Sequence, residues 1–239
     1  MEAKPSALQT ISERFENVRD RISAAAERVG RPITEIKLIA ISKTHTAPVV
    51  REALAAGVTD LGENMVQEAD TKINEIGRDA SRWHLVGHLQ TNKAKRAVEL
   101  FDVIHSVDSV ALLERLERLC AETERQELPV LVQVDLAGEQ NKSGVDSASL
   151  PKLLEALKRC ERVRLIGLMT LPPFFEDPEC TRPFFKALRE LRDELNVQGH
   201  FAGAGELSMG MSHDFEMAIE EGATMVRVGT AIFGERNQT

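Results

Sequence analysis

The chain has 239 residues, with 30 lysines and arginines against 38 aspartates and glutamates, for a formal net charge of −8. That balance, with no basic stripe interleaved with aromatics, argues against nucleic acid as a partner. The length suits one domain with one large core, taken as residues 1–239. No secretory leader or long apolar span is visible, so a soluble cytoplasmic protein is expected with no membrane contact. Cys120, Cys160 and Cys180 are too scattered for a disulfide framework or a CxxC metal site.

In chain order, an amphipathic helix is expected from about Ala7 to Val29, stopped by Gly30-Arg-Pro32. Strands follow at Lys37–Ser42, Thr59–Gly62, Trp83–Gly87, Phe101–Ser106, Pro129–Asp135, Val163–Met169, Gly203–Ser208 and Thr224–Val228. Helical patterns separate them at Ala47–Ala56, Met65–Ile76, Thr91–Leu100, Val110–Arg125, Ala148–Cys160, Pro183–Leu195 and His213–Glu221. Short apolar runs alternating with helices of this length predict βα units and a parallel sheet, here a (β/α)₈ TIM barrel with an extra N-terminal helix. The basic cluster Lys93-Ala-Lys95-Arg96 reads as one solvated helix face.

The last two strands run into small-residue turns, Ser208-Met-Gly-Met-Ser212 and Gly229-Thr-Ala. Such turns leave backbone N–H groups pointing outward, with Ser208 and Thr230 adding hydroxyls, and barrels of this class commonly bind phosphate after strands seven and eight. Lys43 directly follows an apolar strand, so it faces the barrel mouth, where burial favours the neutral amine needed for a Schiff base with a phosphorylated aldehyde such as pyridoxal 5′-phosphate. A rim lysine paired to a carboxylate such as Glu63 fits the same pattern. Arg227 alternates with Val226 and Val228 and so faces opposite to them. A pyridine nitrogen or a carboxylate brace to Glu206, Glu63 or Asp135 would each satisfy it.

Seven segments carry a resemblance: Ala40-Ile-Ser-Lys43-Thr, Leu61-Gly-Glu-Asn64-Met-Val-Gln-Glu68, Trp83-His-Leu-Val-Gly-His-Leu-Gln-Thr-Asn-Lys93, Asn141-Lys-Ser-Gly144, Gly167-Leu-Met-Thr170, Leu207-Ser-Met-Gly-Met-Ser-His-Asp214 and Val226-Arg-Val-Gly-Thr-Ala-Ile-Phe-Gly234. In order and spacing the chain resembles the pyridoxal phosphate homeostasis protein family, relatives of the alanine racemase barrel. The resemblance implies a fold-type III barrel carrying the cofactor as an aldimine at Lys43. It implies phosphate ligands Ser208, Gly229 and Thr230 with backbone help from Met209, Arg227 at the pyridine nitrogen, Asn64 and Met169 along the ring, and a second lysine, Lys142, near the mouth. Met65 stands where the family usually has Tyr, and His88 where Pro is common. His84 and His88 straddle a strand end rather than share a helix face, so no metal is expected.

The chain contains no tyrosine. The two-base racemase mechanism of the related barrel uses a lysine and a tyrosine, and its β-rich C-terminal domain is not expected here. An arginine at the ring nitrogen would also weaken the cofactor as an electron sink. The expected function is therefore non-catalytic: holding pyridoxal phosphate, buffering it, and passing it to apo-enzymes through transient contact, as a monomer. A low-activity racemase or lyase, with His45, His88 or Cys180 as second base, is the alternative. A phosphometabolite-binding barrel without Schiff-base chemistry is a third reading.

Overall fold

Thr10 starts the first helix with a capping box: its hydroxyl accepts from the Glu13 N–H at 3.2 Å, and the Glu13 carboxylate accepts from the Thr10 N–H at 2.7 Å. This helix, α1 (Ile11–Arg28), buries Phe15, Val18, Ile22, Ala25 and Ala26 at helical spacing. Arg21 and Arg28 pair with Glu216 and Glu220, fastening it to the helix that spans Phe215–Glu220. In the computed structural model, which describes residues 9–138 and 143–235, α1 precedes a closed barrel.

The barrel is formed by β1 (Lys37–Ile41), β2 (Asp60–Glu63), β3 (Arg82–Leu85), β4 (Val103–Val107), β5 (Leu128–Gln133), β6 (Val163–Met169), β7 (Glu206–Ser208) and β8 (Met225–Val228). Each strand pairs in parallel with its sequence neighbours, and β8 closes onto β1 through Lys37–Met225 to Ala40–Val228. Around it lie α2 (Ala47–Ala55), α3 (Val66–Ile76), α4 (Ala94–Leu100), α5 (Val110–Glu122), α6 (Leu150–Leu157), α7 (Arg182–Val197), α8 (Phe215–Glu220) and the single turn α9 (Thr230–Phe233). The (β/α)₈ architecture is as the alternation of apolar runs and helices predicts.

Strand alternation sorts the side chains into two cores. Ile39, Ile41, Val86, Val103, Leu131, Met169 and Met225 cluster separately from the larger core. Residues out of phase with them, such as Ala40, Leu85, Val226 and Val228, join that larger core with the helices. Most elements lie within a few residues of their predicted limits. The seventh strand is half its predicted length: Gly203–Gly205 stay outside it, with Gly205 at φ 79°, and pairing begins only at Glu206. The predicted helix Thr91–Leu100 opens as a 3₁₀ turn, Thr91–Lys93, before α4. In the basic cluster Arg96 is tied to Asp70 at 2.6 Å and Glu99 at 2.7 Å, as befits a solvated, salt-bridged face.

Candidate functional site

Lys43 leaves the C-terminal end of β1, half-buried, and its backbone is clamped from below. Lys72, on α3, donates to the Ser42 carbonyl at 2.6 Å, to Glu63 Oε1 at 2.7 Å and to Glu68 Oε1 at 2.8 Å. Ser42 Oγ donates to the same Glu63 oxygen at 2.5 Å, and the Thr44 N–H donates to Glu68. Thr44 is held at φ 67°, a left-handed conformation that costs a residue of this type roughly 1–2 kcal/mol. The carboxylates thus fix the turns on both sides of Lys43. Burial pushes the Glu63 carboxyl up, with Lys72 opposing the shift. Glu63 is therefore engaged as the partner of Lys72, which answers part of the rim-lysine reading.

Lys43 lines a cavity of about 640 Å³ at the barrel mouth with Asn64, His45, His88, Arg227, Gly229 and Thr230. Asn64 is held close by Gly87, where a Cβ would collide with the Asn64 backbone carbonyl. Beyond the end of β7, Gly210 turns the chain at φ 90°, and a Cβ there would lie 2.6 Å from that of Ala218. The turn carries Ser212 over the start of α9. Ser212 Oγ accepts from the Gly229 N–H at 3.2 Å and the Ala231 N–H at 3.3 Å. Thr230, exposed, stands between them. His45 stacks on Phe233 with ring centroids 5.0 Å apart.

Arg227 is only 3% exposed. Its guanidinium donates to Ser208 Oγ at 2.7 Å and to the Thr170 carbonyl at 2.9 Å. Burial pulls it down to about 10, opposed by the charge of Asp214. These N–H groups donate to neutral oxygens rather than to Glu206, Glu63 or Asp135, so the carboxylate brace is not how Arg227 is held.

Residues 14–237 match the family model of the alanine racemase N-terminal domain. Over 224 residues the chain is 44% identical to the pyridoxal phosphate homeostasis protein of Aquifex aeolicus, spanning 94% of this chain and 97% of that one. The chain belongs to the pyridoxal phosphate homeostasis protein family. A similar solved structure is PipY of Synechococcus elongatus PCC7942 with PLP bound, at TM-score 0.83 and 41% identity over 94% of this chain and 100% of PipY. Alanine racemase from Corynebacterium glutamicum shares the fold alone, at TM-score 0.64 and 16% identity, covering 93% of this chain and 61% of the racemase.

Of the site residues that the family resemblance implies, Lys43, Asn64, Arg227, Gly229 and Thr230 converge on the mouth cavity. Met169, Ser208 and Met209 do not line it. Met169 is fully buried in the cluster of Ile39 and Met225. Ser208 is fully buried within β7, bonded to Arg227 and to His105 Nδ1 at 2.9 Å. The Met209 N–H donates to the Met225 carbonyl and its side chain joins the outer core, so it offers the mouth no donor. The hydroxyl on the Gly229 turn belongs instead to Ser212, four residues further on. Its signal was the second serine of the same motif, after the glycine that turns the chain.

Lys142 lies outside the described residues. Met65, 57% exposed, does not line the cavity, whereas His88 does. His84 and His88 diverge: His84 is buried against Asp60 and His105, and His88 faces Asp108 at 3.4 Å. Among the described residues no group of three or more His, Cys, Asp or Glu side chains converges to hold a metal ion, and no helix is long and apolar enough to cross a membrane.

Proposed function

We propose that this chain binds pyridoxal 5′-phosphate at the barrel mouth and acts in its homeostasis, holding the cofactor and supplying it without turning over a substrate. The observation that carries the reading is one cavity uniting a primary amine, Lys43, with a buried cation, Arg227, and a turn whose N–H groups face a replaceable hydroxyl, Ser212. The residues fit the group. The Gly229 and Ala231 N–H groups with the Thr230 and Ser212 hydroxyls suit a phosphate, Arg227 suits the ring nitrogen, and Asn64 suits a ring face. When bound, the cofactor supplies an aldehyde that condenses reversibly with a primary amine. Lys43 presents that amine, and the Glu63–Lys72–Glu68 clamp holds it in place.

A carrier role is supported by chemistry the chain lacks. With no tyrosine anywhere, the lysine–tyrosine pair of the related racemases cannot form within it. An Arg227 donor at the ring nitrogen would hydrogen-bond it without protonating it, which would weaken the cofactor as an electron sink. The cofactor passes to apo-enzymes by transient contact of a cytoplasmic monomer.

The deciding experiment is borohydride reduction of protein mixed with pyridoxal phosphate, followed by peptide mapping. Adduct is expected on Lys43; its absence there sinks the reading. His45 and His88 both line the cavity, which keeps a weak racemase or lyase as the second reading, whereas Cys180 does not line it. Loaded protein should exchange no amino-acid α-proton in heavy water. Exchange that vanishes in Lys43→Ala would make it an enzyme.

A further inference from the structure

The barrel interior contains a polar path that none of the roles above uses. It begins at the floor, where Asp60 opens β2 and lines a cavity of about 1030 Å³ with Lys37, Arg31 and Glu206. His84 Nε2 lies 2.9 Å from Asp60 Oδ1, and His84 Nδ1 lies 2.9 Å from His105 Nε2. His105 Nδ1 lies 2.9 Å from Ser208 Oγ, which accepts from Arg227 at 2.7 Å. Both imidazoles and Ser208 are fully buried, and Asp60 is 8% exposed. Four consecutive hydrogen bonds therefore connect the floor of the barrel to its mouth.

With both rings neutral, chemistry fixes the direction of every proton in that path. A guanidinium only donates, so Ser208 Oγ accepts from Arg227 and its own O–H is free to donate to His105 Nδ1. A neutral His105 then carries its proton on Nε2 and donates to His84 Nδ1. A neutral His84 likewise carries its proton on Nε2 and donates to Asp60, which as a carboxylate only accepts. Reversing either ring would set donor against donor or acceptor against acceptor. Burial lowers both histidines from their ordinary range; at His105 the charges of Arg227, Lys37 and Arg82 add to it, as would a proton on His84, and at His84 Arg82 and Lys37 act in the same sense against the pull of Asp60. The Asp60 carboxyl is held below its usual range by its bonds to His84 and Thr59 against the burial that would raise it. The two ends thus carry opposite charge, with neutral groups aligned head to tail between them.

We propose that Asp60, His84, His105 and Ser208 form a one-way hydrogen-bond relay, anchored by the Asp60 carboxylate at the barrel floor, that orients Arg227 at the cofactor mouth. Asp60, His84 and His105 are positioning residues, acting through Arg227. The relay gives a buried arginine a fixed donor direction through a neutral hydroxyl rather than a directly bonded carboxylate, which would compete with the ring nitrogen for its N–H groups. Its consequence for the cofactor rests on the assignment of Arg227 to the ring nitrogen made above; the relay itself does not.

The test begins with cofactor-free protein labelled with ¹⁵N in its histidine and arginine side chains. At neutral pH both rings should be neutral with the proton on Nε2, and the Arg227 N–H groups should exchange slowly with solvent. Asp60→Asn keeps the shape and an acceptor oxygen but removes the charge, and should accelerate that exchange by about tenfold or more. If that variant does not fold, Ser208→Ala breaks the relay at its other end and should both accelerate exchange and redistribute the His105 tautomers. A ring protonated at neutral pH, a ring carrying its proton on Nδ1, or unchanged Arg227 exchange in the folded variant would overturn the relay. The second measurement follows the nitrogen resonance of ring-labelled pyridoxal phosphate on the protein. Movement in both Arg227→Glu and Asp60→Asn supports the relay's reach to the cofactor. Movement in Arg227→Glu alone overturns that reach. No movement in either removes Arg227 from the ring nitrogen, and the reach of the relay with it.

Discussion

Lys43 and Thr230, beyond the ends of the adjacent strands β1 and β8, line one cavity and make separable demands on a ligand. Lys43→Ala removes the amine but leaves the Gly229–Ala231 turn, so borohydride trapping should vanish while weak, phosphate-dependent binding persists in equilibrium titration. Loss of both would mean that the lysine and the turn do not act as separate contacts. Thr230→Ala deletes one charge-assisted donor at an exposed position and should weaken cofactor affinity by roughly 1–2 kcal/mol, read as the dissociation constant. An unchanged constant would remove Thr230 from the site. At this scale the sequence made the amine, the arginine and the last turn legible, because each lies in or just beyond an apolar strand whose phase fixes its side. It did not distinguish Ser208 from Ser212. That choice depends on where β7 ends and how Gly210 turns the chain, and neither is a property of strand alternation.

The segment that positions Lys43 depends on α3 as much as on β1. Lys72 is 5% and Glu63 0% exposed at the side chain, and their contact is supported by Ser42 and Glu68. Removing one member of such a buried pair leaves the other charge uncompensated, at a cost of roughly 3–5 kcal/mol. Lys72→Met should therefore lower the urea midpoint of unfolding and, by freeing the turn around Thr44, slow or weaken trapping at Lys43. A variant as stable as the parent would show that the network is not what holds this end of the barrel. The pair itself was not legible in the sequence. Lys72 sits within an ordinary charged helix, and only the packing of α3 against the ends of β1 and β2 carries its amine into the interior.

Across the whole molecule, the buried histidines give stability a pH dependence. In the unfolded chain a histidine binds its proton near 6.5, whereas in the fold His105 is held well below that by burial and neighbouring cations. Between the two values the unfolded state binds more protons, so stability rises with pH there and is lost as pH falls from about 6.5 toward the depressed value. The urea midpoint should decline on acidification from about pH 7.5 to about pH 5, and His105→Gln should make that slope shallower. A flat profile in the parent would mean that His105 is not buried as a neutral ring.

The chain's own order of residues determined the barrel. Apolar runs at βα spacing, a glycine and proline stop after the first helix, and two small-residue turns at the end are local patterns, and local patterns survive reading one stretch at a time. Tertiary structure alone decided what fills the barrel and what reaches its mouth. The members of the Asp60–His84–His105–Ser208–Arg227 path lie 24, 21, 103 and 19 residues apart, on β2, β3, β4, β7 and β8. Each is an isolated member of its own strand until closure of the barrel sets it within hydrogen-bond reach of the next. Only then does desolvation require every one of them to have a partner.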